Sequence, residues 1–278
     1  HMARCALNPA TMQGHKFDIV PARTPKKIAV IGGGIGGMEA ARIATLRGHH
    51  VTIYEKSHQL GGVFVAAAAP DFKEKDKELI AWYRRQIEAL KIPVVYGTEI
   101  TDASALDADE IIVATGAKAR TLPLKGGERA MDAVDYLLGK ETGEQVLIIG
   151  GGLSGCEIAY DLFRKGKKPV IVEAKNDLMA VRGLCLANSS YLRDFFQYQK
   201  VPVYLESTVA EIREKDAVIR SKDGTLTTVP ADSVILSVGY PPAPALPAGR
   251  HVHVIGDACK VGNLRTVVWQ AWSVAEKL

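Results

Sequence analysis

This sequence has few cysteines, no close cysteine pair and no long apolar run. Four cysteines occur among its 278 residues, at positions 5, 156, 185 and 259. Their wide spacing argues against a redox-active disulfide and against a local zinc knuckle. The most apolar stretch outside the expected strands, residues 63–69, is ended by Pro70 and is far shorter than the roughly 20 residues that span a bilayer. These absences predict a protein of the reducing cytoplasm without a membrane segment.

A strong charge of one sign is also missing. Lysine and arginine number 35 against 31 acidic residues, which gives a net charge of +4. The densest basic group, Arg23 with Lys26 and Lys27, is typical of solvated charge beside a strand, so we expect no nucleic-acid partner. With 47% hydrophobic and 24% charged residues, the composition is that of a globular chain long enough for two domains.

One glycine pattern occurs twice in this chain. Both copies read Gly-x-Gly-x-x-Gly after an apolar run, and they lie 118 positions apart. The six glycines are Gly32, Gly34 and Gly37 in the first copy and Gly150, Gly152 and Gly155 in the second. In such a motif the first glycine makes a tight strand-to-helix turn, the second admits a pyrophosphate and the third lets helix and strand pack closely. The N–H groups and positive dipole at the start of the helix then bind the pyrophosphate.

An acidic residue follows each copy at the same distance. Glu55 and Glu173 lie 18 residues after the last glycine of their motif, where a carboxylate accepts hydrogen bonds from ribose hydroxyls. Gly48 and Gly166 are placed to end the two intervening helices. A single glycine motif is weak evidence, but strand, turn, helix, strand and acid repeated in one register predict two dinucleotide-binding units.

The remaining segments suggest how these units are joined. After an arm of residues 1–25, the first unit gains a helix at about 73–90 and strands near 94–96 and 111–114, while the second unit occupies about 120–234. The strand at 252–255 has no counterpart in the second unit, so it can return to the first sheet. Two dinucleotides would then face each other across a cleft, which suits hydride transfer.

The pattern resembles the two-dinucleotide-binding flavoproteins of the glutathione reductase type. The resemblance implies an α/β fold of two Rossmann-like three-layer domains, with an NAD(P)H-binding domain (120–234) inserted into an FAD-binding domain (26–119 and 235–278). The implied FAD-binding residues are Gly32, Gly34, Ile35, Gly36, Gly37, Glu55, Lys56, Gly61, Gly62, Val63, Ala114, Thr115, Gly116, Gly256, Asp257, Arg265, Thr266 and Val267. The implied NAD-binding residues are Gly150, Gly152, Leu153, Ser154, Gly155, Glu157, Glu173, Lys175 and Gly239.

The chemistry that this resemblance implies needs no catalytic side chain. Hydride passes from nicotinamide C4 to flavin N5, and the protein supplies orientation. Backbone N–H groups near Arg265, Thr266 and Val267, at the positive end of the last helix, would stabilise charge at flavin N1. Since no dithiol pair is present, the chain does not match the disulfide reductases or thioredoxin reductases of the family.

Two residues bear on the nicotinamide cofactor. The carboxylate of Glu173 would repel a 2′-phosphate, which favours NADH, although Lys175 leaves room for NADPH. Glu157 lies where related flavoproteins have a glutamate near the nicotinamide amide. A carboxylate that simply suits the start of a helix explains Glu157 equally well.

A narrower resemblance is to the C-terminal half of the 2,4-dienoyl-CoA reductase, 2-enoate reductase and trimethylamine dehydrogenase group. The similar words include Arg4-Cys5-Ala6-Leu7-Asn8-Pro9, Gly37-Met38-Glu39-Ala40-Ala41 and Gly256-Asp257-Ala258. In that group an N-terminal β/α barrel binds FMN and substrate, and a 4Fe-4S cluster links the barrel to the module seen here. The resemblance implies that Cys5 is a cluster ligand in a longer protein only. Electrons from NADH would then reach an unsaturated substrate such as an enoate or enone.

Two alternatives stay open. The chain could be a non-catalytic module whose first site holds only ADP, or a stand-alone NADH reductase that serves a separate electron carrier such as a ferredoxin. The Gly256-Asp257 element favours a flavin, because a site for ADP alone has no use for a ribityl contact.

Overall fold

The computed structural model describes residues 4–181 and 183–278. The chain divides into two compact units. Unit 1 contains the described residues up to Lys118 together with Tyr240–Leu278, and unit 2 contains Ala119–Gly239. Each unit has a parallel five-stranded sheet. The predicted class of two Rossmann-like α/β domains is confirmed.

Unit 1 is built on the first glycine turn. Its elements are β1 (Lys27–Ile31), α1 (Ile35–Leu46), β2 (His50–Glu55), α2 (Phe64–Ala67), α3 (Glu74–Ala89), β3 (Val94–Tyr96), β4 (Glu110–Val113), β13 (Val252–Val254) and α7 (Leu264–Ala275). The sheet order is β13-β4-β1-β2-β3 with all neighbours parallel. The strand after residue 250 therefore returns to the first sheet, as expected.

Both faces of the sheet in unit 1 are covered, which is why β1 is a nearly continuous apolar run. On one face α1, α3 and α7 pack around Val30, Met38 and Ile53. On the other face Ile31 and Val113 are covered by Ile100 and Leu246, which lie in segments between the named strands and helices. The third layer of this unit is therefore formed largely by irregular chain.

Unit 2 repeats the arrangement and adds a small antiparallel sheet. Its elements are β5 (Ala130–Asp132), α4 (Ala133–Leu137), β6 (Gln145–Ile149), α5 (Leu153–Arg164), β7 (Lys168–Val172), α6 (Leu186–Tyr198), β8 (Val203–Tyr204), β9 (Ser207–Ile212), β10 (Asp216–Ser221), β11 (Leu226–Pro230) and β12 (Ser233–Leu236). The parallel sheet has the order β5-β12-β6-β7-β8, and β9 to β11 form the antiparallel sheet. Ile219 and Val229 of that sheet pack with Leu147 on one face of β6.

The boundary between the units lies slightly later than the sequence suggested. Residues 235–239 belong to unit 2 and not to the segment 235–278. The reason is that β12 pairs in parallel with β6, from Ser233 opposite Val146 to Leu236 opposite Ile149. The strand that precedes the return crossing is thus the central partner of the second glycine strand.

Candidate functional site

The first glycine turn leaves no room for side chains at two of its three motif positions. Gly32 has φ +101°, and a Cβ there would lie 2.6 Å from the carbonyl oxygen of Ala114. A Cβ on Gly37 would lie 1.9 Å from the carbonyl oxygen of Gly32. Because both obstacles are backbone atoms, these glycines are required by the packing of β1, α1 and β4.

Gly34, the middle glycine, differs from the other two. It is the N-cap of α1 with φ −71°, and the nearest atom to a Cβ placed there is the Gly62 Cα at 4.0 Å. A glycine cap offers no side-chain acceptor, so the N–H groups of Ile35, Gly36 and Gly37 in the first turn have no capping side chain. This is the property that a phosphate-binding helix start requires.

The buried carboxylate of Glu55 stabilises the first glycine turn by accepting backbone hydrogen bonds. Its Oε2 accepts a hydrogen bond of 2.6 Å from the N–H of Gly33, and its Oε1 accepts one of 2.8 Å from the N–H of Ser57. Glu55 is buried. Each oxygen keeps a second lone pair, so a ribose hydroxyl can still donate to the carboxylate. The residue thus has a structural role in addition to the predicted ribose contact.

The loop after β2 crosses the same turn. The N–H of Gly61 donates to the carbonyl oxygen of Gly33 at 2.8 Å, and Gly61 and Gly62 both have positive φ. Beyond them Val63 is exposed, as is Lys56 at the end of β2. The predicted residues from 32 to 37 and from 55 to 63 therefore form one local cluster.

The second turn repeats the first. Gly150 has φ +108°, and a Cβ there would lie 2.2 Å from the carbonyl oxygen of Ser237. A Cβ on Gly155 would lie 2.0 Å from the carbonyl oxygen of Gly150, whereas one on Gly152 would meet nothing within 4 Å. Glu173 accepts hydrogen bonds of 2.6 Å from the N–H of Gly151 and 2.8 Å from that of Lys175.

The 118-residue register continues past the predicted motif. Met179 lies 118 positions after Gly61, has positive φ like Gly61, and its N–H donates to the carbonyl oxygen of Gly151 at 2.7 Å. Leu60 lies against Gly33 and Leu178 lies against Gly151, the glycine between the first two motif glycines of each turn. Sequence reasoning missed Met179 and this leucine pair. Extending the register past the acidic residue would have found all three.

The Ala-Thr-Gly segment at the predicted crossing has an internal function. The Thr115 hydroxyl donates to the carbonyl oxygen of Ala243 at 2.9 Å and accepts from the N–H of Ala245 at 3.1 Å. The carbonyl oxygen of Gly116, whose φ is +75°, accepts from the N–H of Ala243. Ala114, Thr115 and Gly116 therefore fasten the returning chain to the end of β4.

The start of α7 is capped by its own residues. Asn263 and Thr266 form a capping box, in which the Thr266 N–H donates to Asn263 Oδ1 at 3.1 Å. The Val267 N–H donates to the Asn263 carbonyl oxygen. Two of the three N–H groups expected to stabilise a flavin are thus paired inside the helix. Among the described contacts of this first turn, the backbone N–H groups of Leu264 and Arg265 remain as donors for a ligand.

The Gly256-Asp257 element lies just before this helix. The Gly256 N–H donates to Gln270 Oε1 at 2.8 Å, and Asp257 Oδ1 accepts from the N–H of Gly262 at 3.0 Å. Gly256 has φ +61°. Helix α7 and the loop 256–262 therefore support this element from two sides.

The other predicted NAD residues lie around the second turn. Leu153 and Ser154 start α5, with Ser154 exposed, and Glu157 is half-buried one turn later. Lys175 is exposed, and its Nζ donates to the carbonyl oxygen of Ala180 at 3.3 Å, so its side chain folds back toward the loop 178–181. Gly239, with φ +87°, accepts a hydrogen bond from the N–H of Arg120.

Cys5, the predicted cluster ligand of a longer protein, lies in an arm that packs on α7. Its carbonyl oxygen accepts a 2.9 Å hydrogen bond from Trp269 Nε1, and the Arg4 guanidinium lies 5.8 Å from the centre of the Trp269 ring. Within the described residues, no group of three or more histidine, cysteine or acidic side chains could hold a metal ion. Cys156 is fully buried, and this burial raises the pKa of its thiol to about 12.

None of the helices in the described ranges combines the length and the apolar character needed to cross a lipid bilayer.

Comparisons with known proteins agree with this geometry. The family model described as pyridine nucleotide-disulphide oxidoreductase matches residues 26–256. Cinnamate reductase of Clostridium sporogenes is 36% identical over 99% of this chain, and the chain spans 42% of that protein. A structure of 2-naphthoyl-CoA reductase matches 99% of the chain with a TM-score of 0.90 and 27% identity, and the match covers 43% of it.

A shorter protein shares the fold over nearly its whole length. Thioredoxin reductase of Lactococcus lactis matches 91% of this chain and 97% of its own with a TM-score of 0.73 at 20% identity. The two resemblances stated from the sequence are thereby confirmed. The chain spans under half the length of cinnamate reductase and 2-naphthoyl-CoA reductase.

Proposed function

Because this chain belongs to the pyridine nucleotide-disulphide oxidoreductase family, we propose that it binds FAD at the first glycine turn and NADH at the second and acts as the NADH-oxidising module of a larger reductase. The family implies FAD and NAD(P)H as cofactors. The choice of cofactor at each turn, and the contacts assigned to individual residues, are part of the proposal.

The observation that carries the proposal is the pair of open helix starts. In each turn the outer glycines are packed against backbone, whereas Gly34 and Gly152 have open space where a Cβ would be. A middle glycine required only by internal packing would be obstructed in the same way as its neighbours. Both positions therefore fit the close approach of a pyrophosphate.

The chain's own residues bind and orient in this proposal. The first-turn N–H groups of α1 and α5 hold one pyrophosphate each. Glu55 and Glu173 hold their turns through backbone N–H groups and keep lone pairs for ribose hydroxyls. The chemistry that the two cofactors supply when bound is hydride transfer, which needs no acid or base from the protein.

The preference for NADH rests on Glu173. Its two oxygens already accept from the N–H groups of Gly151 and Lys175, which keeps the carboxylate at the end of β7. A 2′-phosphate beside it would be repelled. The Lys175 ammonium, which contacts the Ala180 carbonyl, is a cation that could offset part of this repulsion.

Delivery of the electrons requires more than this chain. Since the module spans 42% of cinnamate reductase, we propose that a barrel domain with FMN, linked through a 4Fe-4S cluster that includes Cys5, receives the electrons and reduces an enoate or related unsaturated substrate. A separate electron carrier would serve the same purpose if this module works alone.

The test is the colour of the purified protein. We expect a flavin spectrum that bleaches when NADH is added without oxygen, with kcat/KM for NADH at least about tenfold above that for NADPH. Colourless protein that releases ADP on denaturation would show a nucleotide-binding module without redox function.

Two matched variants assign the sites. Gly34→Val should prevent flavin binding, because the side chain fills the open approach. Gly152→Val should keep the flavin and raise KM for NADH at least about tenfold. If the two variants had the same effect, the assignment of one cofactor to each turn would be wrong.

A further inference from the structure

In each unit an arginine from a later helix binds the loop that passes over the glycine turn. In unit 1 Arg84, on α3, donates from Nε to the carbonyl oxygen of Leu60 at 3.0 Å. In unit 2 Arg193, on α6, donates from Nη2 to the carbonyl oxygen of Leu178 at 2.5 Å. The two leucines are 118 positions apart, whereas the two arginines are 109 positions apart. The same contact is therefore made from helices that lie at different distances along the chain.

The residue before each leucine sets the charge at this contact. Gln59 and Asp177 are equivalent in the 118-residue register. Arg84 Nη2 donates to Gln59 Oε1 at 3.2 Å, so within the described ranges the acceptors of this guanidinium are neutral oxygens. Arg193 forms a two-bond ion pair with Asp177, from Nε to Oδ1 at 3.0 Å and from Nη2 to Oδ2 at 2.9 Å. The charge of Arg193 is thus neutralised within its own unit, and the charge of Arg84 is not.

Arg84 lies against the backbone that lines the open approach to the first turn. Its Nη2 is 3.6 Å from the position that a Cβ on Gly61 would occupy. Gly61 forms an isolated bridge with Gly34, and the atom nearest to the open Cβ position of Gly34 is the Gly62 Cα at 4.0 Å. The backbone of residues 61–62 therefore separates the guanidinium from the approach proposed for a pyrophosphate.

The other charges beside the two turns are matched. A glutamate ends the second strand of each unit, and one lysine follows it within two residues. The two helix starts also contribute the same partial positive charge. With histidine neutral, the loop 55–62 together with Arg84 has one positive charge in excess, whereas the loop 173–180 together with Arg193 has none. This difference comes from position 59 compared with position 177.

We propose that Gln59 and Asp177 set how firmly each site retains its dinucleotide, an inference that rests on the proposed function. A pyrophosphate is an anion, so the uncompensated charge of Arg84 attracts it, while the neutral pair of Arg193 and Asp177 does not. FAD at the first turn is therefore retained over many reaction cycles. The nicotinamide dinucleotide at the second turn is released after each cycle, as a cofactor that is also a substrate must be.

A substitution of nearly the same shape separates charge from structure at the first turn. Gln59→Glu gives Arg84 an ionic partner, so a purely structural role predicts a firmer loop and no faster loss of FAD. A role through charge predicts that the holoprotein releases FAD about threefold faster. Flavin fluorescence after dilution measures this rate at an ionic strength of about 0.01 M, and the difference should vanish at about 1 M. Gln86→Glu adds the same charge to another face of α3 and should leave the rate unchanged.

Asp177→Asn is the reciprocal test at the second turn. It removes the neutralising charge beside Arg193 while keeping an oxygen that can accept from the guanidinium. We expect NAD⁺ to bind about threefold more tightly at low ionic strength, as measured by calorimetric titration of the oxidised flavoprotein. Asp194→Asn removes the same charge from a neighbouring position of α6 and should leave the affinity unchanged.

The possible failures are distinguishable. Protein isolated without flavin would overturn the proposed function and this inference together. Flavoprotein in which Gln59→Glu and Asp177→Asn both behave like the unmodified chain would overturn this inference alone, as would weaker NAD⁺ binding in Asp177→Asn. If Gln59→Glu does not fold, Arg84→Lys and Arg84→Gln repeat the test, because lysine keeps the charge and glutamine removes it. Equal rates of FAD release from these two variants would likewise overturn the inference.

Discussion

The two glycine turns of this molecule follow the same design but are held differently at the other edge of their sheets. In both turns the first and third motif glycines pack against backbone, and the middle motif glycine faces open space. In both, a glutamate accepts a 2.6 Å hydrogen bond from the N–H that precedes the middle glycine, that of Gly33 or Gly151. The repeated features are therefore those that a pyrophosphate site needs, and the surroundings were free to diverge.

The opposite edge shows the divergence. Glu110, which starts β4 opposite Ile28, binds Lys26, His251 and His253. Ser233 is the equivalent residue in β12, and its hydroxyl accepts a 2.9 Å hydrogen bond from the N–H of Gly143. At this position unit 1 has an ion pair and unit 2 a neutral hydrogen bond. One residue earlier the units are alike, because Asp109 and Asp232 each accept from a backbone N–H of the neighbouring strand.

Alanine at the third glycine of each motif should break the comparison most severely. In Gly37→Ala and Gly155→Ala the new Cβ would lie 1.9 Å and 2.0 Å from a backbone oxygen. We expect each variant to lose about 3 kcal/mol of unfolding free energy, because helix and strand must separate. Urea unfolding measures this loss.

The controls for this test are the middle glycines. Gly34→Ala and Gly152→Ala should cost less than about 1 kcal/mol, since their positions are open. An equal loss at the middle and third glycines would show that steric contact does not distinguish them.

Acid should destabilise unit 1 more than unit 2. Burial of Glu110 opposes its ionisation, but hydrogen bonds from Lys26, His253 and His251 outweigh it and lower its pKa to about 2 from the ordinary 4.5. A carboxylate with a lowered pKa stabilises the fold above pH 4.5, and this contribution is lost as the pH falls toward 2. We expect a loss on the order of 2 kcal/mol in unit 1, and Glu110→Gln should remove this pH dependence.

The measurement can be made selective for unit 1. All three tryptophans, Trp82, Trp269 and Trp272, lie in that unit, so their fluorescence reports its unfolding while circular dichroism reports the whole chain. Urea midpoints by the two methods should diverge as the pH falls from 5 to 3. Coincident midpoints throughout would contradict a difference between the two edges.

The smallest effect should be the same in both units. Gly48 and Gly166 have φ values of +93° and +79°, and a Cβ on either would meet nothing within 4 Å. Gly48→Ala and Gly166→Ala should therefore each cost about 1 kcal/mol through backbone strain alone. Thermal unfolding of the two variants measures both losses. A difference between them larger than about 0.5 kcal/mol would show that the two helix ends are not equivalent.

The sequence was most informative where sterics act locally. The positions of Gly32, Gly37, Gly150 and Gly155 follow from the requirement of a tight turn, and the fold class follows from their repetition. The return of the strand at 252–254 to the first sheet could also be predicted, because the second unit has no counterpart to it.

Features that depend on distant contacts could not be predicted. The capping box at Asn263 pairs the Thr266 N–H inside the helix, and Thr115 binds residues 128 and 130 positions later. The predicted boundary at residue 235 cut through β12, because an apolar pattern alone does not show which of two sheets a strand joins.

The hydrogen bond of 3.0 Å from the Arg120 N–H to the Gly239 carbonyl oxygen has an evolutionary consequence. This bond joins the two ends of unit 2, so the chain enters and leaves the segment 119–239 at one place. A polypeptide whose ends meet can be transplanted into a loop of another protein without stretching the host. Such a segment can be gained or lost by insertion while both parts of the chain keep their own hydrophobic cores.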